Sequence, residues 1–300
     1  MKKLKIKAAA VFMFAAMMIS GCSGSSTEPA VETGRTTEFR YYASSGAGNS
    51  GDVTLSPGDT YAVISVHDFG DIKIKLYPDL APYAVYNFTE LAKRGDYNGR
   101  NFHRLIEDFM IQGGSGNGIG YGGDSFDGGS FKNEINTSLR HYYGALCYAS
   151  TSTGEISDGF YIVNSKTPVT GIENMYDNLA ANYSGTSQIC SYYLQSLDPS
   201  MDQYEKAKAY YTSMIEYNGK AAEAVQAMKE TITPAVTETY KTKGGAISLD
   251  GAYTVFGQTV EGFDVIDKIT SVEKTTGADG KESQPVSEII IDKIEIFTQS

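Results

Sequence analysis

The chain has 300 residues, enough for one large domain or two small ones with a well-filled core. Its formal charge is −11, from 25 Lys and Arg against 36 Asp and Glu. That balance argues against nucleic acid as a partner, because neutralising phosphates needs Lys and Arg. At the N-terminus, Lys2, Lys3, Lys5 and Lys7 lead into a short apolar run, AAAVFMFAAMMIS, and then Gly21-Cys22. Residues 1–21 therefore read as a secretory signal, too short to span a bilayer comfortably. Residues 22–58 are rich in Ser, Gly, Thr and Glu and lack apolar periodicity. They read as a flexible tether with a reach of about 30–35 Å. Within the tether, EFRYY at 38–42 is more apolar and is a candidate for docking. The folded domain is expected over 59–300.

Ile19-Ser20-Gly21-Cys22 resembles the lipobox of bacterial lipoproteins. That resemblance implies a diacylglyceryl thioether on Cys22, a mature chain starting there, and a lipid-anchored protein outside the cytoplasm, at the membrane of a bacterial envelope. Two or more acyl chains suit stable anchoring. The alternative is a plain secretory signal cleaved elsewhere. Cys147 and Cys190 are the other cysteines. Outside the cytoplasm they could pair, but Cys147 lies in the apolar GALCYA run, which favours a buried free thiol. Neither has the nearby His and acid that a nucleophile needs.

YAVISV at 61–66 and IKIKLY at 72–77 read as a hairpin, the second run alternating cleanly, with HDFGD as the turn. Asp79 and Pro82 open a helix. Val85, Phe88, Leu91 and Ala92 share one of its faces, and Arg94-Gly95 ends it. Then comes NFHRLIEDFMIQGG, 101–114. As a strand its residues alternate imperfectly, so a bend or bulge is expected near Glu107-Asp108. Arg104 and Gln112 beside Phe102, Phe109 and Met110 could grip a carbonyl next to an apolar ring. The other reading is an ordinary buried strand whose Arg covers the core edge with its stem.

Gly118-Ile119-Gly120-Tyr121-Gly122-Gly123 fits the dinucleotide fingerprint G-x-G-x-x-G. That motif needs a following helix to receive the pyrophosphate, and DSFDGGS is another turn. A mobile glycine loop fits better. His67, His103 and His141 match no metal spacing, so no cofactor and no metal are implied. Residues 171–244 carry two readable amphipathic helices. One bears Tyr204, Ala207, Tyr211, Met214 and Ile215 and stops at Asn218-Gly219. The next bears Ala221, Ala224, Val225, Met228 and Ile232 and breaks before Pro234. A shorter helix is expected at 188–197. The boundaries at Thr170-Gly171 and Gly244-Gly245 suggest that this helical segment could be removed, its helices either packing on the rest of the fold or forming a lobe for clients or partners. TVFGQTVEGFDVIDKI then gives a strand, a turn and a short helix, and 289–297 a final strand.

FHRLIEDFMIQGG is similar to the signature of the cyclophilin family of peptidyl-prolyl isomerases. The similarity extends to APYAVYNFTELAKRGDYNGRNFHR upstream. Downstream it includes GNGIGYGGDSF, FKNEI, HYYGALCYAS, GFYIV and SLDGAYTVFGQTVEGFDVIDKI. These pieces stand in family order and cover about 60–164 and 245–297. The resemblance implies a mainly β fold: a closed eight-stranded antiparallel barrel capped by helices, here with a helical insertion at 171–244. It implies a monomer that takes proline-containing peptide segments of unfolded or exported proteins. Arg104 matches the family's catalytic arginine. Phe109, Met110, Tyr161 and Leu249 match positions of the proline pocket. Gln112 matches a peptide-binding amide, and Ala149 a groove position. Three positions depart from the pattern: Gly159 replaces a usual Gln, Ser248 an often-present Trp, and Tyr253 a frequent His. Two functions follow. One is an active isomerase assisting the folding of exported proteins; the other is a proline-peptide binding module or holdase with little turnover.

Overall fold

A computed structural model describes residues 35–43, 48–49, 53–120 and 123–300. The secretory signal and Cys22 lie outside the described residues. Strands β2 (Thr60–Val66) and β3 (Gly70–Leu76) form the expected hairpin, followed by helix α1 (Pro82–Arg94). Next come β4 (Asn101–Ile106), β5 (Met110–Gly113), β6 (Phe131–Lys132), β7 (Glu134–Asn136), β8 (Ala145–Ser150) and β9 (Glu155–Val163). The helical insert holds α2 (Ile172–Ser196), α3 (Tyr204–Glu230) and α4 (Pro234–Lys243), and a 3-10 turn follows at Ile247–Leu249. The chain closes with β10 (Val255–Glu261), α5 (Phe263–Thr270), β11 (Lys274–Thr276), β12 (Glu282–Pro285) and β13 (Ile289–Thr298).

Eight strands run β5-β4-β13-β2-β3-β10-β8-β9, and β9 pairs back onto β5. Every pairing around this ring is antiparallel, so the barrel is closed, with β6 appended to β9. Closure leaves no open sheet edge within the ring. The interior is filled by one residue of every two: Ile64, Ile72, Ile74, Leu105, Ile111, Leu146 and Ile162 are fully buried. Helix α1 packs Phe88 into this core, against Phe160 (ring centroids 5.6 Å apart) and Phe256 (5.3 Å). Its own N-cap, Ala81, offers no side-chain acceptor. Glu134 supplies one instead, accepting from the Tyr83 and Ala84 amides at 3.1 Å each. Gly95 ends the helix in the left-handed conformation, where its amide and that of Asp96 close onto Ala92 and Leu91.

Expected bounds of strands and helices need correction. First, 101–114 is not one strand bent at Glu107-Asp108 but a tight antiparallel hairpin of β4 and β5. Asp108 takes φ 51° at the turn. Its carboxylate makes that possible, accepting from Thr167 Oγ1 at 2.6 Å and from the Lys166 amide at 3.0 Å. The irregularity in pairing lies between Phe102 and Arg104. Second, α3 does not stop at Asn218-Gly219; it continues through them for 27 residues in all. Asn218 turns its amide onto the Met214 carbonyl one helical turn back, at 2.7 Å. Buried Tyr217, Ala221 and Val225 hold the helix on either side of the glycine. Likewise α2 spans 25 residues rather than a short piece at 188–197. Tertiary packing outweighs the ~1 kcal/mol that a helical glycine costs.

The helices of the insert pack on the barrel side, one of the two arrangements expected from the sequence. Tyr176 of α2, Tyr217 and Val225 of α3 and Tyr240 of α4 form a second buried cluster with Tyr142, Ile247 and Ala252 of the barrel domain. The EFRYY stretch, the candidate for docking within the tether, is docked. Strand β1 (Arg40–Tyr42) pairs in parallel with β7. Phe39 is buried edge-on against Tyr217, with centroids 5.7 Å apart. Asn49 clamps the main chain of Arg140, donating to its carbonyl (2.6 Å) and accepting from its amide (2.7 Å). Cys147 and Cys190 are both free and buried. The Gly-rich loop leads into further turns over 123–130, with no helix to receive a pyrophosphate. Its Gly120, at φ +90°, lies so close over His103 that a Cβ there would sit 2.7 Å from the ring nitrogen Nε2.

Candidate functional site

The register of four neighbouring strands builds the candidate site on the outer face of the barrel. Arg104 of β4 pairs with Gln112 of β5, and Gln112 pairs with Tyr161 of β9. Tyr161 in turn pairs with Cys147 of β8. Directly paired residues of an antiparallel sheet share a face, as do residues two apart along a strand. Arg104, Gln112, Met110, Tyr161 and Ala149 therefore share one surface, opposite the buried Leu105 and Ile111. Phe109 stands in the turn one residue ahead of β5, partly buried against the core. Leu249 ends the 3-10 turn, partly buried, and the Tyr253 amide donates to its carbonyl at 3.3 Å.

The Arg104 guanidinium is held from two sides. Its Nε donates to Asp279 Oδ2 at 2.8 Å, and its Nη1 to Gln112 Oε1 at 3.4 Å, with Met110 Sδ 3.8 Å from the same nitrogen. Nη2 keeps no hydrogen bond among the described residues. Asp279 sits in the turn between β11 and β12, and is itself fixed by Ser283 Oγ (2.7 Å) and the Lys281 amide (3.1 Å). Burial works to raise the Asp279 carboxyl, but the Arg104 contact and these hydrogen bonds outweigh it and hold its pKa at about 2. Beside Arg104, His103 is largely buried with Nδ1 unpartnered. Burial first, and the Arg104 charge second, push its pKa down to about 4.

The far wall is aromatic. Tyr253 stands edge-on to Tyr161, with centroids 6.3 Å apart at 80°. It lies close enough to Arg104 for the guanidinium charge to act on its hydroxyl. Behind Tyr161, His141 stacks nearly parallel (11°) and places Nε2 3.0 Å from the Tyr161 hydroxyl. His141 Nδ1 meets Asp250 Oδ1 at 2.8 Å. An ionised carboxylate only accepts, so Nδ1 carries the donor proton and Nε2 is left to accept from Tyr161.

Of the residues singled out from the sequence, Arg104, Met110, Gln112, Ala149 and Tyr161 thus come together on one face. Phe109 and Leu249 lie at its two margins, on a turn and on the 3-10 turn. Sequence reasoning missed Asp279, and it treated Tyr253 only as a departure from a pattern. The Asp279-Gly280 pair marks a turn, but nothing local says that this turn lies against β4. His141 and Asp250 were not recognised as partners, because 109 residues separate them.

Residues 61–179 and 206–296 match the family described as cyclophilin type peptidyl-prolyl cis-trans isomerase/CLD. A protein of Staphylococcus epidermidis assigned to the peptidyl-prolyl cis-trans isomerases is 30% identical over 227 residues, 76% of this chain and 87% of that one. A Streptococcus pyogenes protein assigned as a bifunctional phosphatase and peptidyl-prolyl cis-trans isomerase is 34% identical over 231 residues. That match covers 76% of this chain and 37% of the longer relative. Among solved structures, a cyclophilin-type isomerase of Cryptosporidium parvum superposes with a TM-score of 0.50 at 21% identity, covering 81% of this chain and 99% of that one. This last likeness bears on the fold, which is the same closed barrel.

Proposed function

The chain belongs to the cyclophilin-type peptidyl-prolyl cis-trans isomerases, and we propose that it turns Xaa-Pro bonds in exported polypeptides, outside the cytoplasm, from a lipid anchor on Cys22. One observation carries the assignment of the chemistry to this face. A half-buried arginine is fixed by Asp279 and Gln112 at the edge of a wall made by Met110, Tyr161 and Tyr253. The lysine-rich start, the short apolar run after it and the Ile19-Ser20-Gly21-Cys22 sequence support the location.

Resonance gives an amide a rotation barrier of ~18–20 kcal/mol. Twisting the bond destroys that resonance and leaves a pyramidal nitrogen with a lone pair. A fixed donor that meets the lone pair, or steadies the turning carbonyl oxygen, binds the twisted state more tightly than either planar one, and this differential lowers the barrier. No nucleophile and no proton transfer are required. Arg104 is the donor in this reading. Asp279 fixes its Nε and Gln112 its Nη1, which leaves the outer edge of the fork for substrate. Met110, Phe109, Tyr161 and Leu249 take the proline ring, and Gln112 and the main chain near Ala149 take the peptide on either side.

Arg104→Ala is expected to lower isomerisation of a short Ala-Pro peptide by about 10²-fold or more in a protease-coupled assay, the loss typical of one preorganised donor. Arg104→Lys is expected to be poor as well, because an ammonium cannot reproduce a planar fork held at two edges. Wild-type turnover in a folded Arg104→Ala protein would overturn the assignment. A wild type that binds proline peptides without turning them over would leave a binding module in its place. For the location, Cys22→Ala is expected to shift the protein from the membrane to the soluble fraction or leave it unprocessed; normal processing with full membrane retention would count against lipidation.

A further inference from the structure

Asp250 is fully buried, next to Leu249, and it is the meeting point of the barrel and the insert. One carboxylate oxygen, Oδ1, takes His141 Nδ1 (2.8 Å) and the His141 amide (2.9 Å). The other, Oδ2, takes two phenols from the insert, Tyr176 of α2 and Tyr240 of α4, each at 2.5 Å. Burial alone would raise this carboxyl, but the His141 contacts, the nearby Arg140 charge and the Tyr176 hydroxyl hold it below its ordinary range. The charge is thus fully committed inside the protein. On its barrel side, the chain continues through His141 Nε2 to the Tyr161 hydroxyl. On its insert side, Arg140 lies over the Tyr176 ring (5.6 Å) and caps the C-terminus of α3 by donating to the Met228 carbonyl at 2.9 Å.

A second contact runs beside the first. The Tyr217 hydroxyl of α3 donates to the Ala252 carbonyl at 3.0 Å, one residue before Tyr253, whose ring faces Tyr161. Both aromatic residues of the groove wall are therefore backed by phenols from the helical insert. Neither Tyr176 nor Tyr240 lies on the groove face itself.

We propose that Asp250 is a positioning residue for the groove, through which helices α2 and α4 of the insert set the angle of the Tyr161 ring and so the fit of the proline pocket. This rests on the reading of Tyr161 as a wall of that pocket. The insert then acts on substrate affinity without touching substrate. Loss of the two phenols leaves Asp250 Oδ2 unmatched, loosens His141 and frees the Tyr161 ring to tilt.

The test uses Tyr176→Phe and Tyr240→Phe, singly and together, because Asp250→Asn disturbs all four hydrogen bonds of a fully buried side chain and is expected to impair folding. The probe is a proline-containing tetrapeptide, with its dissociation constant and its bound-state exchange rate both read by NMR. The double variant is expected to bind the peptide about fivefold or more weakly, at the low end of site-to-site coupling, while exchange of bound peptide stays within about twofold. Tyr161→Phe is expected to weaken binding similarly, and its effect is not expected to add to that of the double variant, since all three changes cut one chain of contacts. Unchanged peptide affinity together with a lowered melting temperature would show Asp250 to be a structural hub only, and would overturn the proposal. So would simple additivity with Tyr161→Phe. If the wild type binds no proline peptide, the functional reading fails instead. The Tyr161 ring resonances still decide the inference in that case: they move in the double variant if it holds, and stay fixed if it does not.

Discussion

In β2 and β3 burial alternates residue by residue through most of each strand, whereas in the 25 residues of α2 only Ile172, Tyr176, Ala180 and Cys190 are buried. The barrel is held by its own interior. The insert is held at its base, where Tyr176, Tyr217, Val225 and Tyr240 meet the barrel domain, while toward the α2–α3 turn Ile189, Tyr192, Tyr193 and Tyr210 are exposed. The contrast shows that the length of a helix does not measure its contribution. A few residues at the base carry the insert's share of the core, and the same residues complete hydrogen bonds that the barrel domain cannot satisfy alone.

Replacing 171–244 with a short loop is the harshest way to break this comparison. Such a change would leave Asp250 Oδ2 without its two phenols and Arg140 Nη2 without the Met228 carbonyl and Thr231 Oγ1, to which it otherwise donates at 2.9 and 2.8 Å. Removing the partners of a buried charge costs about 3–5 kcal/mol, a large fraction of the 5–15 kcal/mol by which domains are stable. The expected product is insoluble or molten. A cooperative melting transition in the truncated protein would show that the barrel supports itself.

The ease of reading the sequence follows the same division. Period-two alternation made β2 and β3 legible, and the face of Val85, Phe88, Leu91 and Ala92 with Gly95 made α1 legible, because each signal is local. In α3 the pattern misled. Asn218-Gly219 carries the local chemistry of a helix stop, yet packing of Tyr217 and Ala221 carries the helix across. Resemblance to a family supplied Arg104, Met110, Gln112 and Tyr161. It could not supply what fixes them: Asp279 lies 175 residues from Arg104, and Tyr176, one of the phenols on Asp250, lies 74 residues from it. Buried polar networks join positions by geometry, so no window of sequence displays them.

Acid sharpens the comparison more gently, because the two regions titrate in different ranges. His103, in the β4–β5 hairpin, has its pKa pushed from 6.5 to about 4 in the folded protein, chiefly by burial. Between those values the unfolded chain binds a proton that the folded one refuses, so stability is lost as pH falls from 6.5 toward 4. Asp250 is a depressed carboxyl. Its contribution is present above the unfolded carboxylate value of about 3.9 and is lost only as pH falls further. Glu134 and Asp158, both raised by burial, act in the opposite sense to Asp250. Comparison with His103→Gln subtracts them. Wild type is expected to lose stability more steeply than His103→Gln between pH 6.5 and 4, by at most about 1.4 kcal/mol per pH unit. Parallel denaturation curves across that window would mean that the His103 ring is open to water in solution.

The smallest expected effect lies at the far end of the insert. Ser187 Oγ reaches the Ile215 carbonyl at 3.2 Å, and the Tyr193 and Tyr211 rings sit 5.7 Å apart, which fixes the register of the α2–α3 hairpin near its turn. Replacing 189–212 with a short Gly-rich loop would remove these tyrosines and the buried Cys190, but would leave Tyr176, Tyr217, Val225 and Tyr240 in place. Burial of Cys190 is the main apolar loss, and free Cys behaves as a small hydrophobe. Stability is therefore expected to fall by no more than about 1–2 kcal/mol, with peptide affinity unchanged. The melting temperature and the tetrapeptide dissociation constant check this together. If the shortened protein instead binds peptide as weakly as Tyr176→Phe combined with Tyr240→Phe, the support of Tyr161 is spread along the whole insert rather than gathered at its base.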